Sequence, residues 1–492
     1  MPVRRNVYSL SPTGTLIASL RQGVAKMKSR PSSNPTSWIF QANIHGTFAP
    51  PQPGWNECQH GSFLFLSWHR MYLYWLERIL RAASGNSNLA LPYWNWTNAA
   101  QRALPVAFRQ PAAASNPLFV PGRALGMNNG TGQLPPGAVQ IGTAMSFPNF
   151  SSPVNSGQSF GGRRVTQPIH LAPNPIFGAL ENVPHNVIHG LVGGPGGGPN
   201  SPSQALMSWP ETAARDPIFW LHHANIDRLW KRWLDQGGGR QNPTGNNFWM
   251  NHQFNFFDEN GNQVSMSGKD VLNTVTQLDY RYDDDSPASA LRVPFDVPAA
   301  EVVAASSQND DETERTLLGE TTVGEEMIEL GAATKRVPLQ LRDDATERVA
   351  EAARAEAVPL EERIVLNVKG VQYDDKSPGV TYEVYLNLPE DQDPDYQSPH
   401  YVGNIGFFGM GTHETEEGGH GGHPADLNFD VTDVVRALQE LGEWSEGEAR
   451  VSFVMRGLEP SVEEAESVQF LAAQAEPPGR PRVEGVTLTR GG

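Results

Sequence analysis

Apolar residues recur at helical spacing in several stretches of this chain. Leu16, Ile17, Leu20, Val24 and Met27 mark a helix across Ser11–Arg30, started by Ser11-Pro12. Ser62–Ala83 reads as a second, mostly apolar and aromatic-rich helix that Ser84-Gly85 ends. Shorter helices are expected at Leu180–Leu191 and Ile218–Leu234, separated by the Gly193–Gly198 run. From Pro92 to Pro175 no period is sustained, and the density of Pro, Gly, Asn and Ser predicts long ordered loops. Further on the pattern becomes alternating: Arg363–Val368, Thr381–Leu388 and Arg450–Met455 read as strands, with one helix near Val431–Leu441. The expected architecture is therefore a mainly α domain, a loop-rich four-helix bundle, followed by a C-terminal β-sandwich or jelly-roll domain.

Composition sharpens this division. The formal charge of −17 over 492 residues hides +9 in residues 1–283, from 21 basic and 12 acidic residues, and −26 in the remainder. The change of sign coincides with Asp283-Asp284-Asp285-Ser286-Pro287, the start of an acidic stretch that reads as a linker over 284–315. We expect a domain at 1–283 and a capping domain at 316–492, drawn onto the first by charge. An apolar content of 38% with 12 Trp and 21 Phe excludes disorder of the whole. A lone cysteine, Cys58, excludes a disulfide framework and a Cys-rich zinc module. The acidic total argues against nucleic acid, and no apolar run is long enough for a membrane span. The N-terminus has no apolar signal region after Arg4-Arg5, so a cytoplasmic protein is the default; nothing in the chain addresses oligomeric state.

The histidines carry the chemistry. His185 and His189 are four apart, so on a helix they share a face. His60 and His69 are nine apart, half a turn out of phase, so His60 must precede the aromatic helix if both point inward. His45 stands alone, and His222 and His223 are adjacent. Histidines presented from facing helices form a metal site, and with few carboxylates beside them the ion is zinc or copper on spacing alone. His413, His420 and His423 read as a solvated, His-rich loop.

Three long segments carry a resemblance that goes further. Cys58-Gln59-His60 with Ser67-Trp68-His69-Arg70, then Leu180–His189, which includes Glu181-Asn182-Val183-Pro184-His185-Asn186, then Asp216–Trp230, which includes His222-His223-Ala224-Asn225, strongly resemble the tyrosinase, catechol oxidase and molluscan haemocyanin superfamily. The resemblance runs from about Trp38 to Tyr282 and implies a dinuclear type 3 copper centre. It implies one copper ion on His45, His60 and His69 and a second on His185, His189 and His223, with His222 beside them and not a ligand. It further implies a thioether link between Cys58 and His60, and a Glu181/Asn186 pair that orders a water for deprotonating a phenol.

The loop Met207–Arg215 should border the second copper and the substrate entrance. There Pro210 takes the place of the plant gate phenylalanine, Gly190 leaves the other side small, and Phe219 packs on the ligand ring of His223. Tyr280-Arg281-Tyr282 resembles the motif that closes the catalytic domain, with Arg4 or Arg5 packed on it. The tail resembles the C-terminal domain of latent polyphenol oxidases, which covers the copper site, and Phe407 or Phe408 is the candidate plug. The activity implied is oxidation of o-diphenols to o-quinones with dioxygen, with ortho-hydroxylation of monophenols. A haemocyanin-like dioxygen carrier and an o-aminophenol oxidase are the alternatives.

Overall fold

The structure is a computed structural model; it describes residues 1–50, 52–152, 159–168, 170, 175–285, 315–321, 327–342, 345, 362–412, 423–444, 448–460 and 476–491. Most of the proposed linker and His413 and His420 lie outside the described residues.

Four helical pieces converge in the N-terminal half. Helix α1 (Thr15–Lys28) packs outside them, burying Ile17, Leu20, Val24 and Met27 as its period requires. Helix α2 (Trp38–His45) is capped by Ser37, whose hydroxyl accepts from the Phe40 amide. The periodicity did not reveal this helix: seven of its eight residues are buried, so it has almost no polar face to create a moment. Helix α3 (Phe65–Ser84) ends on Gly85 in the left-handed region at φ 67°, a conformation glycine adopts without a Cβ clash.

Helix α4 (Val187–Gly193) follows a wide turn at Glu181–Asn186. The expected continuous helix from Leu180 is broken at Val183, whose extended backbone (φ −135°, ψ 120°) precedes Pro184. Helix α5 (Pro217–Asp235) begins with Asp216 accepting from the Ile218 amide at 3.0 Å and Pro217 in the first turn. Arg123 fixes that cap through two hydrogen bonds of 2.8 and 2.7 Å to the Asp216 carboxylate.

The two ends of this half are pinned together. Val3–Arg4 pairs in parallel with Arg281–Tyr282, which sets the Arg4 guanidinium 3.7 Å from the centre of the Tyr280 ring. Arg4 also donates to Glu77 (2.9 Å) and Asp227 (3.1 Å), while Asp227 accepts from Arg70, Tyr280 and Tyr282. Buried charge is tolerated here because each ion has several partners.

The C-terminal half contains one eight-stranded antiparallel sheet: β1 (Thr316–Thr321), β2 (Lys335–Leu341), β3 (Ile364–Val371), β4 (Thr381–Leu386), β5 (Tyr401–Ile405), β6 (Ala425–Asp430), β7 (Glu448–Arg456) and β8 (Gly485–Arg490). Their order is β5-β4-β7-β2-β1-β8-β3-β6. The sheet curls until its edges meet: a Cβ on Gly403 of β5 would lie 2.9 Å from the Phe429 ring of β6, so only glycine allows the approach. Helix α6 (Thr432–Leu441) buries Val435 and Leu438 against it. The second core also takes in Phe177 and Trp209 of the N-terminal half, so the halves share apolar surface.

Backbone bonds join them further. Gly196 and Ser377 exchange hydrogen bonds of 2.9 and 3.1 Å, and Glu459–Pro460 pairs with Gly132–Gln133. Among the described residues the charge asymmetry does not resolve into a row of interface ion pairs. Among the described residues the pair that crosses is Arg102–Glu459 at 3.9 Å.

Candidate metal centre

Five of the six histidines of the centre are aimed by an oxygen behind them, while His223 Nδ1 is buried without a partner. Nδ1 of His45 donates to the Pro210 carbonyl (2.7 Å), that of His69 to the Phe65 carbonyl (2.8 Å), and that of His189 to the Met207 carbonyl (2.7 Å). A carbonyl can only accept, so these rings carry their proton on Nδ1 and present a lone pair at Nε2. His185 Nδ1 is paired with Asn186 Oδ1 (2.9 Å) and His60 Nδ1 with Glu181 Oε1 (3.0 Å), which imposes the same tautomer. The Nε2 atoms then converge: His45 and His60 stand 3.3 Å apart, His185 and His223 3.3 Å, His189 and His223 3.4 Å.

Between His45 and His60, lone pair faces lone pair with no proton between them, an arrangement that calls for a cation. His69 Nε2 has no hydrogen-bond partner, and its ring stacks on His223 with centroids 4.3 Å apart and planes 9° apart. One stacked pair therefore links the His45/His60/His69 group to the His185/His189/His223 group. All six rings are buried, and burial holds their pKa values down, to about 4 for His45 and about 3 for His185, so they are neutral at neutral pH and able to act as ligands. Uncharged imidazole nitrogen in two groups, His45 and His60 with His69 beside them and His185, His189, His222 and His223, fits a pair of copper ions, and among the described residues no carboxylate joins either group.

The surrounding residues sort themselves by contact. His60 lies in the loop before α3, as the phase argument requires. Phe219 packs on His223 (4.2 Å) and His45 (4.9 Å), one ring from each group. The loop expected beside the second copper braces both groups, Met207 through His189 and Pro210 through His45. Gly190 faces open space, since a Cβ there would meet nothing within 4 Å. Glu181 reaches its place from the wide turn and not from a helical face shared with His185. Its Oε1 also accepts from the Gly61 amide (2.9 Å), whereas Oε2 and the Asn186 amide nitrogen are buried without partners. Two such orphan groups, an acceptor and a donor, are what a bound water would satisfy.

Cys58 Sγ, a His45 nitrogen and a His60 nitrogen lie within 4.8 Å of one another, and Sγ is also 3.1 Å from His170 Nδ1. His170 was not singled out by sequence. His222 stacks on His185 (5.3 Å, 21°), and neither of its nitrogens has a partner. Phe65 was missed as well: its ring meets both His69 (4.6 Å) and His185 (4.7 Å), and its position in the first turn of α3 was the available signal.

The two candidate plugs separate cleanly. Phe407 turns into the β-sheet core, against Tyr382 (6.0 Å) and Tyr373 (6.1 Å). Phe408 turns the other way, onto His189 at 3.9 Å with an interplanar angle of 26°, and meets His60 and His185 at 5.6 Å each.

Fold and site together define a buried, all-histidine dinuclear metal protein with a covering β domain. Residues 35–158 and 141–236 match the common central domain of tyrosinase, 244–292 the polyphenol oxidase middle domain, and 316–469 a domain of unknown function. Tyrosinase HcTyr1 of Hahella sp. (strain CCB-MM4) is 32% identical over 498 residues, covering 94% of this chain and 97% of that one. A chloroplastic polyphenol oxidase of Spinacia oleracea is 30% identical over 313 residues, 57% of this chain and 47% of that longer protein. Among solved structures, latent apple tyrosinase superposes with a TM-score of 0.62 at 22% identity, covering 100% of this chain and 97% of that one. Latent aurone synthase does so with 0.59 at 21%, covering 99% and 89%. The chain belongs to the tyrosinase family and is a type 3 copper oxidoreductase.

Proposed function

We propose that this protein oxidises o-diphenols to o-quinones with dioxygen, hydroxylates monophenols ortho to their hydroxyl, and is held latent by its own C-terminal half. The observation that carries the reading is the Phe408 ring lying on His189. A phenyl group there occupies the place that a phenolic ring would need beside the second metal position. His45, His60 and His69 would hold one copper ion, and His185, His189 and His223 the other. When bound, the copper pair supplies two-electron exchange with dioxygen.

The protein's own part is to orient and to move protons. The backbone carbonyls of Pro210, Phe65 and Met207 keep Nε2 available on three ligands. Glu181 Oε2, buried and unpartnered, is the proton acceptor for an incoming phenol, directly or through a water shared with Asn186. The aromatic shell of Phe65, Phe219 and Phe408 keeps bulk water out while the site is closed.

The test is a copper-loaded full chain, offered a catechol and a monophenol before and after proteolytic nicking within 286–314. Quinone formation that rises on nicking is expected. Reversible oxygen uptake with no quinone from either sample would instead establish the carrier reading. Equal rates before and after nicking would reject latency and leave the oxidase reading standing.

A further inference from the structure

The second group of histidines holds one ring more than the resemblance assigns to it. His222 is fully buried, and neither of its nitrogens has a hydrogen-bond partner among the described residues. Adjacent residues on a helix point about 100° apart, so His222 and His223 leave α5 in different directions. Both nevertheless meet the other two rings. The centre of His222 lies 5.3 Å from His185 and 4.9 Å from His189, and that of His223 lies 4.9 and 5.6 Å from the same pair. The two remaining separations are 4.5 Å, from His185 to His189, and 5.3 Å, from His222 to His223.

Four imidazoles on one tetrahedral ion have this spacing. With metal–nitrogen bonds of about 2.0–2.1 Å, the nitrogens of a tetrahedron stand about 3.3–3.4 Å apart and the ring centres about 5.2 Å. Nε2 of His185 and Nε2 of His189 are 3.3 and 3.4 Å from Nε2 of His223. One ligand atom from each of the four, His222 included, lies within 4.8 Å of the others, so a small rotation of the His222 ring closes the shell. The first group is built differently. Its three rings, His45, His60 and His69, have centres 5.3, 5.5 and 5.2 Å apart, and the further donor beside them is Cys58 and not an imidazole. A buried imidazole with both nitrogens unpaired is destabilising, and a metal–nitrogen bond relieves one of those two deficits.

We propose that the second group binds a single zinc ion in a closed site of four imidazoles, with His222 as the fourth ligand. Zinc has no geometric preference of its own and settles in a four-coordinate tetrahedral shell where four nitrogens are offered. Three of these ligands are those assigned to the second copper ion, so the inference rests on that assignment. A complete four-nitrogen shell leaves no position for dioxygen or a phenol. Zinc held there keeps the protein inactive whether or not Phe408 is displaced, and an active copper centre requires His222 to stay out of the shell.

The test uses the full chain prepared metal-free, loaded with zinc alone and crystallised, with the ion located by its anomalous scattering. Zinc is expected on His185, His189, His222 and His223, with the bond to His222 at about 2.0–2.1 Å. Zinc on the other three with His222 beyond bonding distance, or no zinc at this group, overturns the proposal. In solution, competition with a chromophoric chelator should show the zinc of this group held at least about tenfold more weakly by His222→Phe, which keeps a flat ring in place. An unchanged affinity overturns the proposal, and the crystal result decides it alone if the variant does not fold. A separate copper-loaded sample offered 4-methylcatechol keeps the readings apart: no quinone there counts against the oxidase and not against the zinc shell.

Discussion

The phenyl ring of Phe408 and the imidazole of His189 lie face to face, 3.9 Å between centroids and 26° between planes, although 219 positions separate them in the chain. Replacing Phe408 by Ala empties the place a substrate ring would take. The intact, copper-loaded chain should then oxidise a catechol about tenfold faster or more without nicking, since the contact forfeited is of the order of an aromatic pair plus burial. An unchanged rate would show that latency does not depend on this ring. Phe407→Ala should act differently, lowering the stability of the β domain by about 3–5 kcal/mol because a core ring is lost; chemical denaturation reads this out.

Glu181→Gln retains an oxygen for His60 Nδ1 and the Gly61 amide but cannot take a proton at the buried Oε2. Monophenol hydroxylation should fall by about a hundredfold, in the range of a general base, while diphenol oxidation falls much less. Equal losses for both substrates would assign Glu181 to holding His60 alone.

Cys58 Sγ lies within 4.8 Å of a His60 ring nitrogen, beside the ring to which the resemblance implies a thioether. Copper loading in air should lower the intact mass by two hydrogen atoms, with the bond localised to the peptides of Cys58 and His60. Cys58→Ser should keep the parent mass difference at zero. A thiol that is still alkylated after complete loading and denaturation counts against the link.

Acid should weaken the metal-free protein through its own ligands. Burial lowers His45 to about 4 and His185 to about 3 from an unfolded value near 6.5. Above the unfolded value both states bind the same protons, so these groups cost nothing. Below it the unfolded chain takes up protons that the folded site refuses, and stability is lost progressively from about pH 6.5 down to about pH 3–4. Urea midpoints of the metal-free chain should fall over that window. Copper occupies the lone pairs that acid would protonate, so the loaded chain should hold its midpoint to lower pH.

Arg4 is buried against Glu77, Asp227 and the Tyr280 ring. Arg4→Met leaves those two acids short of a partner in a dry environment. A loss of about 3–5 kcal/mol in the N-terminal half is expected, as for breaking a buried ion pair. A loss below about 1 kcal/mol would mean that Arg70 and Arg81 compensate.

Much of the frame was legible because its signals are local. The period of apolar residues outlined α1, α3 and α5 to within a few positions, and the nine-residue spacing to His69 put His60 in the loop before α3. Where local signals failed, the reason is physical. Helix α2 is buried on nearly every side and so has no amphipathic period. The helix expected from Leu180 is broken at Val183, whose backbone is extended, so helical spacing does not place Glu181 relative to His185. Phe407 and Phe408 are adjacent and equally apolar, and which of them enters the sheet core is decided by the path of the chain after β5.

By itself the sequence determined which groups are available: histidines in pairs and singles that offer neutral nitrogen, one cysteine two residues before His60, and two halves of opposite charge. Those properties follow from residue chemistry and short spacing. Only the tertiary structure decided that Pro210, 165 positions away, turns His45 to present Nε2, that Phe408 and not Phe407 lies on His189, and that His222 stands against His185 and His189. Each is a contact between distant segments, governed by packing and by the need to satisfy buried polar groups, which no local pattern encodes.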